Sequence, residues 1–433
     1  MPSESRVVHQ EKLDDHRSRD LQLLGVFSGF TAGAWLGAAE APTKLVTIGI
    51  SPVVISLIMV TGVFLARRSL PALVLGTSSV RADVRRAPHL VIWALLAGCL
   101  WAVANTLTVF AIRDVGLSIA FPLWNSNSLI GILWGFLFFN ELRQAGWRRW
   151  VGVVGGTAML FFGGALLATA SAPQSSSGHA MSGVWAALGA GVLWGTMYIP
   201  YRKAYLTGMN PLSFVTFFTF GELGMMGALA LGYSGSRPLW HELQEARGVI
   251  FWLMLGGFVW VVGDLFQQYA AKYVGISRGI PVSNTNQLWG MLWGILVFGE
   301  LHGQSRATYW QVIGGSLLMI VGVAAIAASS ATRDEHARWK QAALRESERY
   351  GVPIDYVEAS FAGRQDTSET PARRTVVDWL LVGLATGVLV WFAILARVPQ
   401  LPIRWEAALA LSAVSLLLLV LCGRKLWRTT RFH

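Results

Sequence analysis

Long apolar stretches alternate with short polar ones along almost the whole chain. Twelve of them carry few charges, near 22 to 40, 47 to 66, 90 to 111, 117 to 139, 150 to 170, 183 to 201, 211 to 232, 249 to 271, 276 to 298, 308 to 328, 376 to 396 and 405 to 423. A helix rises about 1.5 Å per residue, so each stretch is of a length to cross a hydrocarbon core roughly 30 Å thick. The pattern predicts an all-α polytopic membrane protein with twelve spans. A polar segment with five acidic residues precedes the first stretch, with no small-residue cleavage pattern. That stretch is therefore expected to stay as a helix and not to be a removed signal peptide.

Composition points the same way. The chain is 54% apolar and 14% charged and holds twenty Trp, whereas soluble domains run near ~25% charged. Most soluble-enzyme classes are thereby excluded. Cys99 and Cys422 both fall inside apolar stretches and read as small core residues, not as a disulfide or a zinc site. With a cytoplasmic N-terminus, inside segments would hold 28 of the 35 Lys and Arg. The positive-inside rule then predicts a multi-pass inner-membrane protein with both termini cytoplasmic. Anionic headgroups account for the net charge of +11 without a nucleic-acid partner. The histidines lie mostly in loops, and His89 and His302 show no metal-ligand spacing.

The sequence repeats itself at an offset of 159 residues. Val103 to Leu142 matches Val262 to Leu301 at 17 of 40 positions without a gap. The same offset pairs Trp35 with Trp194, Lys44 with Lys203 and Pro52 with Pro211. Two five-helix units follow, and an odd number of passes per unit makes the second enter from the opposite side. The expected organisation is a cytoplasmic segment 1–21, a first repeat 22–170, a linker 171–182 and a second repeat 183–328. A charged cytoplasmic segment 329–375, an added transmembrane hairpin 376–423 and a tail 424–433 complete it. Inverted repeats let two equivalent halves expose one central site to either side in turn. This argues for transport by alternating access.

Ten helices in two five-helix repeats resemble the drug/metabolite transporter superfamily. GDLFQ, GISRGIPVS and QLWGMLWGILVFGE in the second repeat resemble the glucose/ribose porter branch, and IPYRK near position 201 is similar to a proline-basic motif there. The resemblance covers residues 22 to 328. It implies a cytoplasmic-membrane carrier of sugars or related metabolites, coupled to protons, and no cofactor. At position 264 the chain has Asp where the branch carries Asn, as Asn105 does in the first repeat.

Polar residues at membrane depth are costly and mark candidate sites. The fourth and ninth spans share Pro-x-x-Asn-x-Asn: Pro122, Asn125, Asn127 and Pro281, Asn284, Asn286. Proline breaks the helical bonding there, and broken backbone at this depth must be buried or line a cavity. Asn125, Asn284, Ser128 and Gln287 are substrate-contact candidates, and Asn127 and Asn286 are expected as interhelical glue beside the GxxxG glycines Gly131, Gly135, Gly290 and Gly294. Trp101 and Asn105, with Trp260 and Asp264, form matched stripes at helical spacing. An indole can stack on a sugar ring while an amide or carboxylate bonds its hydroxyls. Core packing is the alternative for the tryptophans, and Trp134 with Trp293 are expected in the core.

Asp264 and Glu222 are the deepest acidic residues, and burial can let such a carboxyl exchange a proton. They are the proton-coupling candidates, with Glu40 a weaker third and structural pairing the alternative. Glu141 and Glu300 are expected to cap or anchor. Arg278, Lys44 and Lys203 are expected as interface anchors, with a gate ion pair the sharper option for Arg278. Segment 329–375 is expected to be solvated, helical from Arg333 to Tyr350 and broken by Gly351 and Pro353. That segment or the C-terminal hairpin could meet a protein partner. The resulting picture is a secondary transporter of a small polar metabolite, foremost a sugar, with protons and the lipid bilayer as its other partners. Rival readings are an exporter of amino acids or amphipathic drugs on the same fold, and a sensor or scaffold that has lost transport. A membrane enzyme comes third.

Overall fold

The computed structural model describes residues 4–44, 50–115, 120, 123–143, 145–170, 180–299, 303–329, 333–361, 374–397 and 403–432. Expectations for Pro122, Glu300, His302 and most of the 171–182 linker, and for the side chains of Glu40 and Lys44, lie outside the described residues. The chain is all helical: α1 Glu4–Lys44, α2 Pro52–Val74, α3 Thr77–Arg86, α4 His89–Val115, α5 Asn127–Phe139, α6 Gly146–Ala170 and α7 Ala180–Leu206. There follow α8 Pro211–Ser234, α9 Ser236–Glu245, α10 Ile250–Val274, α11 Ile276–Ser283, α12 Asn286–Leu292, α13 Arg306–Ala328, α14 Arg333–Tyr350, α15 Ile354–Phe361, α16 Val376–Leu395 and α17 Trp405–Thr430. Among the described residues ten helices are long and apolar enough to cross a membrane.

The fourth and ninth spans are broken, at the places where the Pro-x-x-Asn-x-Asn motifs predict it. A turn at Asn125–Ser126 precedes α5. The ninth stretch divides into α11, a turn at Asn284–Thr285, α12 and a π-helical stretch Trp293–Val297. Pro281 has no amide to donate, and the Asn284 amide is shared between Ile280 O and Pro281 O, both at 3.1 Å.

The duplication is visible in how helices start and meet. Ser51 and Asn210, one repeat apart, each cap the following helix, accepting from Val54 N at 3.4 Å and Leu212 N at 2.9 Å, with proline next in both. The contact of α1 with α10 is matched by that of α7 with α4, and the contact of α2 with α10 by that of α8 with α4. Gly62 presses on Met254 as Gly221 does on Leu95, and Gly257 meets Met59 as Gly98 meets Phe218. Each of these pairs maps onto the other under the offset of 159, so the helix packing is pseudo-symmetric.

The start of the apolar part of α1 and the end of α17 share one core cluster, through Leu24 and Leu426. Against this same end of the bundle fold α14 and α15, which corrects the solvated segment expected there. Their Trp339, Ala343, Val352 and Val357 join the main core. Tyr356 Oη donates to Asp83 of α3 at 2.8 Å, and Lys203 at the end of α7 lies 3.4 Å from Glu346. The helix itself spans Arg333–Tyr350 as expected. Docking was illegible because an amphipathic charged helix reads as solvated until its partner surface is known.

The two C-terminal helices flank the bundle, α16 against α2 and α10, α17 against α1. Trp35 Nε1 donates to Ser415 O at 2.9 Å, and Cys422 is buried beside Ser28. Asp378 completes a capping box with Thr375 and accepts from Thr77 N at 2.7 Å, tying α16 to the start of α3.

Candidate functional site

The apolar stretch expected to stop at residue 66 continues as α2 to Val74. Arg67, counted in the sequence as a loop residue, is therefore inside the helix and fully buried. Its Nη1 donates to Glu222 Oε2 of α8 at 2.9 Å and its Nη2 to Asp264 Oδ2 of α10 at 2.6 Å. A buried cation is tolerable only with such partners, because desolvation costs several kcal/mol per ion. The two proton-coupling candidates thus share one guanidinium. Glu222 Oε1 and Asp264 Oδ1 remain buried without a hydrogen-bond partner.

Around this triad, Gln268 Nε2 donates to Asp264 Oδ2 at 2.7 Å, and Tyr205 of α7 donates to Gln268 Oε1. The guanidinium lies 4.3 Å from the Phe218 ring centroid and 5.3 Å from that of Trp260. Trp260 in turn meets Trp101 edge-on at 5.0 Å. Of the expected site residues, the structure brings Trp101, Trp260, Glu222 and Asp264 into this one layer. Asn105 stands apart, donating from Nδ2 to Ser56 Oγ of α2 at 3.2 Å.

The repeat symmetry fails here. One offset from Arg67, Glu222 and Asp264 stand Met226, Val63 and Asn105. Sequence reasoning missed Arg67 because an Arg pair at the end of an apolar run reads as a positive-inside signal. The uncharged run Ser69 to Gly76 that follows was the available clue.

A second polar layer lies where the broken helices meet. Asn284 Nδ2 donates to Asn127 Oδ1 at 3.1 Å and to Ser128 Oγ at 2.6 Å. Asn284 and Asn127 thus join the two repeats directly. Gln267 Nε2 donates to Ser283 Oγ at 2.6 Å, so α10 connects this layer to the Arg67 triad. Asn125 is buried in the turn before α5. Gln287 is not part of the Asn284 cluster: it faces Gly164 of α6, and both its amide atoms are buried with no hydrogen-bond partner.

The end of the bundle bearing α14 holds a third cluster. Glu141 accepts from the Ile276 and Ser277 amides at 3.3 and 2.9 Å, capping α11 of the other repeat, and lies 2.9 Å from Arg202 Nε. Arg278 grips Glu335 of α14 with Nη1 to Oε1 at 2.9 Å and Nη2 to Oε2 at 3.0 Å. Interface anchoring is thus corrected for Arg278, which is buried in an ion pair. Burial alone would raise the Glu335 carboxyl, but the hydrogen bonds and charge of Arg278 outweigh it and hold it below its ordinary value. Trp339 lies under Arg202 at 4.3 Å. Among the described residues no group of three or more His, Cys, Asp or Glu could hold a metal ion.

Comparison with known proteins adds a lineage to this geometry. The family described as "Sugar transport protein" matches residues 192–348, less than half of the chain. A Listeria innocua protein named "Putative sugar uptake protein" is 22% identical over 234 residues, covering 53% of this chain and 76% of its own. One of Lactiplantibacillus plantarum is 31% identical over 178 residues, covering 39% and 57%. The glucose uptake protein GlcU of Staphylococcus xylosus is 25% identical over 219 residues, covering 49% and 69%. A solved crystal structure aligns with 68% of this chain and 98% of its own at 15% identity and a TM-score of 0.46, a likeness too distant to fix the fold. The chain is a multi-pass membrane protein distantly related to sugar-uptake transporters. The family match is to a transport family, and it falls on residues 192–348.

Proposed function

We propose that this protein moves a small polar metabolite, foremost a sugar, across the cytoplasmic membrane by alternating access of two inverted five-helix repeats, coupled to protons. The observation that carries the reading is the Arg67, Glu222 and Asp264 triad, buried where helices of both repeats cross. Ionisable side chains at this depth are expensive to insert and are kept for pathways and coupling. Two carboxylates facing one guanidinium leave the cluster one negative charge in excess until a proton joins it. A one-proton site of that kind is what a symporter needs.

The sugar assignment draws on the relatives, and the free carboxylate oxygens suit it. Hydroxyl groups can donate to Glu222 Oε1 and Asp264 Oδ1 without disturbing Arg67. Trp101 and Trp260 would offer an apolar wall, and Asn105, Asn125, Asn284 and Gln287 the remaining hydrogen bonds as the repeats rock. The conformation described is closed at the α14 end, which the positive-inside rule makes cytoplasmic. Separation of Arg278 from Glu335 would open it.

Uptake by proteoliposomes from a panel of hexoses and pentoses, with and without an imposed pH gradient, tests the reading. Accumulation of a sugar that depends on the gradient is expected. Glu222→Gln or Asp264→Asn should abolish accumulation while sugar exchange persists. Full accumulation in both variants would end the coupling assignment. Movement of amino acids or cationic drugs but no sugar would end the substrate assignment.

A further inference from the structure

Arg68 follows Arg67 but, one residue on, projects about 100° away around the helix. It leaves the triad and lines a cavity of about 290 Å³ between α2, α3, α8 and α16. Arg81 and Arg85 of α3 line the same cavity, together with Val80, Phe217 and Leu381. Two features make this more than a gap between helices. Arg68 Nε and Nη2 are buried and have no hydrogen-bond partner, although the guanidinium rests on the Phe220 ring at 3.7 Å. Arg81 and Arg85 are one turn apart on α3, so both present their charge on the face that carries Val80 and Val84.

We propose that this cavity binds the phosphate headgroup of an anionic phospholipid. A guanidinium fork matches phosphate oxygens, and the buried donors of Arg68 lack an acceptor that phosphate supplies. Arg68 lies six residues before the end of α2, roughly 9 Å along the axis at 1.5 Å per residue, and Arg81 and Arg85 of α3 lie past that end. Apart from Thr77 and Thr216, the rest of the wall is apolar. Beyond Leu381 the outer face of α16 exposes Leu380 and Leu384, a surface along which acyl chains can continue. A free phosphate would gain nothing from that wall. The lipid would join α16 of the C-terminal hairpin to α2 and α3, and this holds whatever the carrier transports.

The test is native mass spectrometry of the full chain, with thermal unfolding in detergent supplemented with phosphatidylglycerol, phosphatidylcholine or inorganic phosphate. The wild type should retain one phosphatidylglycerol and gain several degrees in Tm from it alone. The triple variant Arg68→Gln, Arg81→Gln, Arg85→Gln should lose both effects. Leu381→Trp, which keeps the three charges and fills the cavity, should lose the retained lipid too, and it serves where the triple variant fails to fold. Equal stabilisation by phosphatidylcholine, an equal shift from inorganic phosphate, or unchanged lipid retention in Leu381→Trp would overturn the proposal.

Discussion

Arg67 and Asp264 are 197 residues apart in the chain and 2.6 Å apart in the folded protein. Both are essentially sealed from solvent, so the pair is a stability element as well as a candidate coupling site. Removing the cation leaves two buried carboxylates facing each other. Breaking a buried pair from one side costs about 3 to 5 kcal/mol, so Arg67→Gln should lower the yield of folded protein and its Tm sharply. Glu222→Gln leaves a balanced Arg67 and Asp264 pair and should be far milder. Heated samples run on size exclusion compare the two, and an Arg67→Gln variant as stable as Glu222→Gln would contradict the arrangement.

The Arg278 and Glu335 pair predicts an acid-sensitive closure of the α14 end. Glu335 ionises below its ordinary value of 4.5 in the folded protein. Its contribution is therefore complete above that value and is lost as the pH falls through the depressed folded one. Hydrogen exchange in α14 should accelerate in the wild type only in strong acid. Glu335→Gln should show fast exchange already at neutral pH and little further change on acidification.

Gln287 separates a packing role from a binding role. Both its amide atoms lack hydrogen-bond partners in the structure, and a buried unsatisfied group costs about 1 to 3 kcal/mol. Gln287→Leu should therefore raise thermal stability. If the amide contacts substrate in another conformation, uptake must fall in the same variant. A stabilised protein with unchanged uptake would remove Gln287 from the site.

Much of this architecture was legible in the sequence and some was not, for identifiable reasons. Periodicity and length located the long helices because membrane spans are fixed by the lipid core and not by distant partners. The paired prolines and asparagines announced the broken helices, since unpaired backbone at depth has few physical outlets. Arg67 was misplaced because its burial depends on carboxylates contributed by α8 and α10, which no local window contains. The docking of α14 failed for the same reason: Glu335 looks solvated until Arg278 is brought to it by the fold. The glycines at 25, 29, 33 and 37 form a stripe at intervals of four that could have been read. Gly33 and Gly37 face Thr285 and Trp289 beside the break between α11 and α12.

The duplication itself is open to a stability test. Gly62 and Gly221 occupy equivalent places, each against backbone of the facing helix, Met254 in one case and Leu95 in the other. A Cβ at either position would overlap a carbonyl oxygen that cannot swing away, so each helix pair would have to separate. Gly224, on the same helix as Gly221, has open space where its Cβ would lie. There alanine removes only the intrinsic penalty of glycine, about 1 kcal/mol in a helix interior. Gly62→Ala and Gly221→Ala should therefore lower the Tm by similar amounts, while Gly224→Ala holds or raises it. Unequal losses at the two equivalent glycines would mean that the halves do not share one packing scheme, and the case for two interchangeable repeats would weaken with it.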